Sequence, residues 1–246
     1  MEIRIKDLTK TYGSYTAVDA KELSILSGES FGLVGNNGAG KTTLFRSILD
    51  LIEPDTGTVQ IGDFITKSSE DWKDFTGSYL DENFIVGHLL PEEYFDFVAS
   101  LHGMSQSDLE IKMAEFETLF NGEITGGKKL IRDLSKGNQK KVGIAAALLF
   151  DPSVLILDEP FANLDPSTQI RLKDLLKKLK EDKGVTMLIS SHDLQHIIEV
   201  CERIVLLEKG QVINDIQTSP ATLKELEDYF AGVGHGKTEL AEEQAS

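Results

Sequence analysis

Residues 35–43 read GNNGAGKTT, between an apolar run, Phe31-Gly32-Leu33-Val34, and a helical stretch beginning Leu44-Phe45-Arg46. Strand, glycine-rich loop and helix in that order let successive backbone N–H groups ring a phosphate at the positive end of the helix. Gly35, Gly38 and Gly40 bring the chain against a ligand with no β-carbon in the way, and Asn36, Asn37 and Ala39 fill the loop between them. Lys41 can reach the β- and γ-phosphates, the Thr42 hydroxyl can take a place on Mg²⁺, and Thr43 completes the run. The chemistry this implies is the binding of a nucleoside triphosphate.

A second group of residues falls at strand ends. The run 154–157, VLIL, is apolar on both faces, as in a central parallel strand, and ends on Asp158 and Glu159. In open α/β sheets ligands collect at the carboxyl ends of strands, which suits Asp158 to Mg²⁺ and Glu159 to polarising a water for in-line attack. A solvated turn carboxylate is the alternative for Asp158. His192 follows another apolar run, 185–189, with Asp193 able to cap the next helix, and local sequence leaves it open to a structural or a functional role. Tyr12 in TKTYGSYT is free to stack on something flat or to pack on a strand edge. Ser135 or Asn138 can cap the helix expected over 139–150, whose start would favour an anion.

The elements that must position these residues alternate, so the fold class is α/β. Strands are expected around Ile3, Ile5 and Leu8, within 17–26, and over 58–61, 154–157, 185–189, 204–207 and 211–213. From residue 90 to 120 apolar residues fall at helical spacing, with Gly103 and Ser105 dividing two helices. Further helices are expected over 167–183 and 221–230. The reading gives one domain over 1–230 with a helical subdomain about 82–150 inserted in the core, and a flexible acidic tail over 231–246.

The 246 residues carry a net charge of -16, which weighs against a general affinity for nucleic acid or an anionic bilayer. No uninterrupted apolar run approaches the roughly twenty residues of a membrane-spanning helix. MEIRIKDLTK alternates as a strand does and is not a signal peptide. Cys201, in IIEVCERIV, reads as a small core residue.

Taken together, these segments resemble the ATP-binding subunit of an ATP-binding cassette (ABC) transporter up to about residue 230. GNNGAGKT is similar to that family's phosphate loop and VLILDEP to its second nucleotide motif. LSKGN, at 134–138, stands where its LSGGQ signature would be, Asn163-Leu164-Asp165 resembles the loop after the catalytic carboxylate, and Ser191-His192 resembles its switch histidine. The resemblance implies a P-loop NTPase core with a mixed β-sheet and a helical insert, ATP and Mg²⁺ as ligands, and two copies closing head to tail around two ATP molecules. It also implies separate transmembrane permease subunits that hold the chain at the cytoplasmic face of the membrane, with no nucleic acid partner. By position, Tyr12 would stack on adenine, Glu159 would be the general base, and His192 would contact the γ-phosphate. Ser135 and Gly137 would meet ATP held by the other copy, and Asp165 would lie at the dimer seam.

Two departures stand out. Glu82 takes the place of the family's usual Gln at the start of the helical insert; a carboxylate can still ligate Mg²⁺ but cannot donate a hydrogen bond when ionised. Lys136 and Asn138 replace the usual Gly and Gln of the signature. The lysine-bearing approach GGKKLIRDLSKG resembles the exporter-type branch. A soluble ABC-type ATPase acting on ribosomes or DNA, and a regulatory module with weak hydrolysis, are the competing readings.

Overall fold

The computed structural model describes residues 1–230; the tail expected over 231–246 lies outside the described residues. The chain begins with β1 (Ile3–Tyr12), β2 (Tyr15–Ile25) and β3 (Ser30–Val34), then α1 (Lys41–Ile48), β4 (Thr56–Ile61), β5 (Phe64–Ile65) and β6 (Thr76–Tyr79). Three helices follow, α2 (Pro91–Leu101), α3 (Gln106–Phe120) and α4 (Lys136–Leu148). The rest alternates: β7 (Val154–Leu157), α5 (Pro166–Lys183), β8 (Thr186–Ser191), α6 (Leu194–Val200), β9 (Arg203–Glu208), β10 (Gln211–Gln217) and α7 (Thr222–Phe230).

The strands join one mixed sheet in the order β5-β4-β1-β2-β10-β9-β3-β8-β7-β6. β9, β3, β8, β7 and β6 run parallel and buried, whereas β5, β4, β1 and β2 pair antiparallel. Because successive side chains in a strand point to opposite faces, β7 divides its run between two cores. Val154 and Ile156 join α1 and the antiparallel strands, while Leu155 and Leu157 join α2 to α6. β8 and β9 divide in the same way, Leu188, Val205 and Leu207 on one side and Met187, Ile189, Ile204 and Leu206 on the other. Cys201 is buried in the helical-side core, and burial pushes its thiol pKa up.

α4 is the most enclosed helix. Every residue from Gln139 to Leu148 is buried. It lies close against β6: a β-carbon on Gly143 would come 2.4 Å from the Tyr79 ring, and one on Gly77 would come 2.0 Å from the Ala147 carbonyl oxygen. The expected helix over 139–150 therefore starts and ends earlier, with Ser135 as its cap accepting from the Asn138 N–H at 3.2 Å. α5 starts one residue before expectation because Asp165 caps it, accepting from Thr168 N–H at 3.0 Å. β8 extends through Ser191, so His192 is the first residue past the strand.

Candidate functional site

The loop after β3 is tight for steric reasons. A β-carbon on Gly40, at φ 110°, would fall 2.1 Å from the Ala17 carbonyl oxygen, and one on Gly35 would fall 2.3 Å from that of Leu207. Gly40 is also the cap residue of α1, and it has no side chain to satisfy the first N–H groups of the helix. Those donors, and the positive end of the helix, remain for an anion. Lys41, buried to 6% exposure, donates to the Gly35 carbonyl at 2.7 Å and lies 3.5 Å from Glu159 Oε1. Asn36, Asn37 and Gly38 form the exposed crest of the loop, above buried Ala39. Thr42 and Thr43 are half-buried.

Asp158 and Glu159 arrive from the end of β7, beside the loop. The Thr42 hydroxyl donates to Asp158 Oδ2 at 2.5 Å, and the Ser190 hydroxyl donates to Asp158 Oδ1. Burial pushes the Asp158 pKa up, and the hydroxyls of Ser190 and Thr42 pull it back. A hydroxyl and a carboxylate in contact are hard oxygen donors that suit a small divalent cation. Among the described residues no three of His, Cys, Asp or Glu converge as a metal cage.

Glu159 holds φ 48°, and its N–H donates to Ser190 Oγ at 3.0 Å. Its carboxylate is divided between two roles. Oε2 meets His192 Nδ1 at 2.8 Å, while Oε1 is buried with no hydrogen-bond partner, 3.5 Å from the Lys41 ammonium. A carboxylate oxygen with an unused lone pair beside a phosphate loop is equipped to accept a proton from water.

The other residues singled out in the sequence fall elsewhere. Tyr12, 53% exposed, ends β1 opposite Tyr15, with Lys10 Nζ 5.5 Å from its ring centroid. Glu82 is not brought to Thr42 or Asp158 by any contact; its carboxylate faces Lys136 at 3.9 Å. Adjacent Asp81 instead binds Arg46 of α1 at 3.2 Å. Ser135 and Lys136 are exposed at the start of α4, and among the described residues no hydrogen bond joins Ser135 or Gly137 to the phosphate loop. Gly137 lies so near the 163–165 segment that a β-carbon would be 2.9 Å from the Asn163 carbonyl oxygen. The Ser167 and Thr168 hydroxyls hold the Asp165 carboxyl well below the usual range.

Two contacts were missed in the sequence. Ser190 bridges both carboxylate residues, and Tyr15 donates its hydroxyl to the Gly38 carbonyl at 2.6 Å. The second tyrosine in TKTYGSYT, across the two-residue tip Gly13-Ser14, was the available signal for Tyr15. For Ser190 none existed beyond its place at a strand end.

The family model described as ABC transporter matches residues 18–162. This chain belongs to that family. The subunit is 38% identical over 222 residues to an uncharacterized ABC transporter ATP-binding protein, YhaQ, of Bacillus subtilis (strain 168), covering 86% of this chain and 70% of that protein. It is 33% identical over 220 residues to the bacitracin transport ATP-binding protein BcrA of Bacillus licheniformis, covering 87% and 69%. A solved dimer of the ATP-binding cassette MJ0796, in a post-hydrolysis state bound to ADP and Pi, superposes with a TM-score of 0.79 at 27% identity, covering 88% of this chain and 99% of that one. The subunit thus has the P-loop NTPase fold of an ABC cassette and is an ATP-binding ATPase of the ABC transporter family. Among the described residues no helix is long and apolar enough to cross a membrane.

Proposed function

We propose that the chain hydrolyses MgATP to drive separate transmembrane permease subunits, by head-to-tail closure of two copies at the cytoplasmic face of the membrane. The observation that carries this reading is the convergence of Lys41, Thr42, Asp158, Glu159 and His192 at the carboxyl ends of β3, β7 and β8. Lys41 exchanges its protein partners for the β- and γ-phosphates, which frees the Glu159 carboxylate. Glu159 Oε1 takes the proton of the attacking water, and His192, on Oε2, orients the carboxylate and faces the γ-phosphate. Thr42 and Asp158 are the residues that would hold Mg²⁺, which neutralises charge on the β- and γ-oxygens when bound. Glu82 is a third candidate ligand, at the cost of its contact with Lys136. Tyr12, exposed at the tip of the first hairpin, is assigned to the adenine.

Ser135 is exposed and Gly137 half-buried, and neither hydrogen-bonds to its own phosphate loop, so their use requires a second copy, with Asp165 at the seam. The dimeric state of the cassette MJ0796 supports this arrangement. Residues about 82–150 act as a helical lobe, and the 79–90 region is the route by which closure reaches the permease. Export is the direction assigned, on the lysine-bearing approach to the signature. Co-expression with membrane proteins encoded beside its gene should give a detergent-stable complex with stronger ATPase activity than the chain alone. Absence of such a complex, together with sedimentation on ribosomes, would overturn the transport role.

A further inference from the structure

Lysine is rarely buried without an acidic partner. Five lysines of the described residues are buried: Lys41, Lys112, Lys140, Lys141 and Lys173. Four of them have a carboxylate oxygen within 4 Å, namely Glu159, Asp151, Glu123 and Glu199 respectively. Lys140, at 4% exposure, has none among the described residues. Its ammonium donates instead to the backbone carbonyl of Glu159 at 2.5 Å and lies 5.9 Å from the Tyr79 ring centroid. Three carboxylates, Glu82, Glu159 and Asp158, surround it at longer range, while burial pulls its pKa down.

The group it grips is unusual. Glu159 is a residue with a β-carbon in the left-handed region, a conformation that persists only where its surroundings enforce it. Besides Lys140, the Glu159 carbonyl accepts among the described residues only a long turn bond from Ala162 N–H, at 3.3 Å. The orientation of that peptide decides where the carboxylate points, and the carboxylate points at Lys41 and His192.

We propose that Lys140 is a positioning residue for the catalytic carboxylate: by holding the Glu159 carbonyl it sets the peptide that aims the side chain, and it ties Glu159 to the helix that begins at the signature segment. The inference rests on the reading of Glu159 as general base. Lys140 lies one turn beyond Lys136, on a helix whose exposed start is assigned to the second copy and whose buried body is fixed against Tyr79 through Gly143. A shift of α4 on dimer closure is therefore carried by one side chain to the residue that activates water. The role of this lysine follows from its burial and from the carbonyl it reaches.

The test compares Lys140→Met, Lys140→Gln and Lys140→Arg in the full chain with its membrane partner. Met keeps length and apolar bulk but removes charge and donor; Gln and Arg keep a donor. A catalytic group displaced by about an ångström loses on the order of 10²-fold in rate, so Lys140→Met should lower kcat by about 10²-fold at unchanged ATP affinity. Its Tm should shift by no more than a few degrees, since the hydrogen bond lost to the Glu159 carbonyl is offset by no longer burying an ammonium with no carboxylate within 4 Å. Lys140→Arg or Lys140→Gln should restore at least about a tenth of wild-type kcat, and Lys140→Met should add no further loss in a Glu159→Gln background. A Lys140→Met kcat within twofold of wild type, or a loss that tracks a fall in Tm, overturns the proposal. If Lys140→Met does not fold, failure of the folded Arg and Gln variants to retain turnover overturns it equally. Glu159→Gln, measured alongside, separates the two readings: full turnover there removes the general base itself, whereas its loss beside an active Lys140→Met removes only this inference.

Discussion

Replacing Ser190 by alanine should damage stability and turnover together, because one hydroxyl serves both carboxylate residues. Ser190 is fully buried, donates to Asp158 Oδ1 and accepts the Glu159 N–H at 3.0 Å. A hydrogen bond to a charged group contributes about 1.5–3 kcal/mol, and a buried N–H left unpaired costs about 1–3 kcal/mol. The sum is about 2.5–6 kcal/mol, equivalent at about 2–4 °C per kcal/mol to a Tm lowered by at least about 5 °C for a chain of this size. Ser191→Ala is the comparison. Its hydroxyl accepts only the Asp193 N–H, at 3.0 Å, and its loss should cost about 1 kcal/mol.

The Ser190→Ala deficit should also depend on pH. Burial raises the folded-state pKa of Asp158, so this group's contribution to stability falls as pH rises through that raised value. The Ser190 hydroxyl opposes the shift, and without it the folded pKa climbs further. The Tm gap between wild type and variant is therefore smallest where Asp158 is protonated in both, where the unpaired Glu159 N–H still contributes, and widens with rising pH. Thermal unfolding from about pH 4 to pH 8 reads it directly. A gap that stays constant across that range would refute the bond to ionised Asp158, and a gap no larger than that of Ser191→Ala would refute the magnitude.

His192→Ala removes the partner of Glu159 Oε2 while leaving Lys41 and Thr42 in place, so ATP binding should persist and kcat should fall by about 10²-fold; equilibrium binding and steady-state rates separate the two. Gly40→Ala forces a β-carbon to 2.1 Å from the Ala17 carbonyl oxygen at φ 110° and should abolish ATP binding in equilibrium titration, with a Tm lowered by several degrees. Lys136→Gly removes a 3.9 Å ion pair between exposed Lys136 and half-buried Glu82 at the first residue of α4 and should change stability by no more than about 1 kcal/mol in chemical denaturation.

Much of this molecule was legible in its residues because the informative patterns are local. The phosphate loop needs one contiguous run, and 154–157 is apolar on both faces while 185–189 is largely apolar, so their ends, and with them Asp158, Glu159 and His192, could be placed at one edge of a sheet. β6 was not legible. Its sequence, TGSY, lacks strand character because Gly77 exists to admit the Ala147 carbonyl, a requirement set by a helix seventy positions away. The helix over 139–150 was read as buried from its alanines, yet the two lysines inside it gave no sign that one would meet a carbonyl and the other Glu123. The caps at Ser135 and Asp165 moved two helix starts, since one hydrogen bond, and not the apolar period, fixes where a helix begins. The contact of Glu82 with Lys136 joins two positions that the sequence offered only as separate departures.

The central claim is that Glu159 activates water in a site completed by a second copy. Its most direct measurement is nucleotide-dependent self-association and single-turnover hydrolysis of Glu159→Gln, followed by sedimentation and phosphate release. Retained ATP binding, a long-lived dimer holding two ATP molecules, and hydrolysis reduced at least about 10²-fold are expected. Hydrolysis at the wild-type rate, or a variant that binds ATP and remains monomeric, would contradict it.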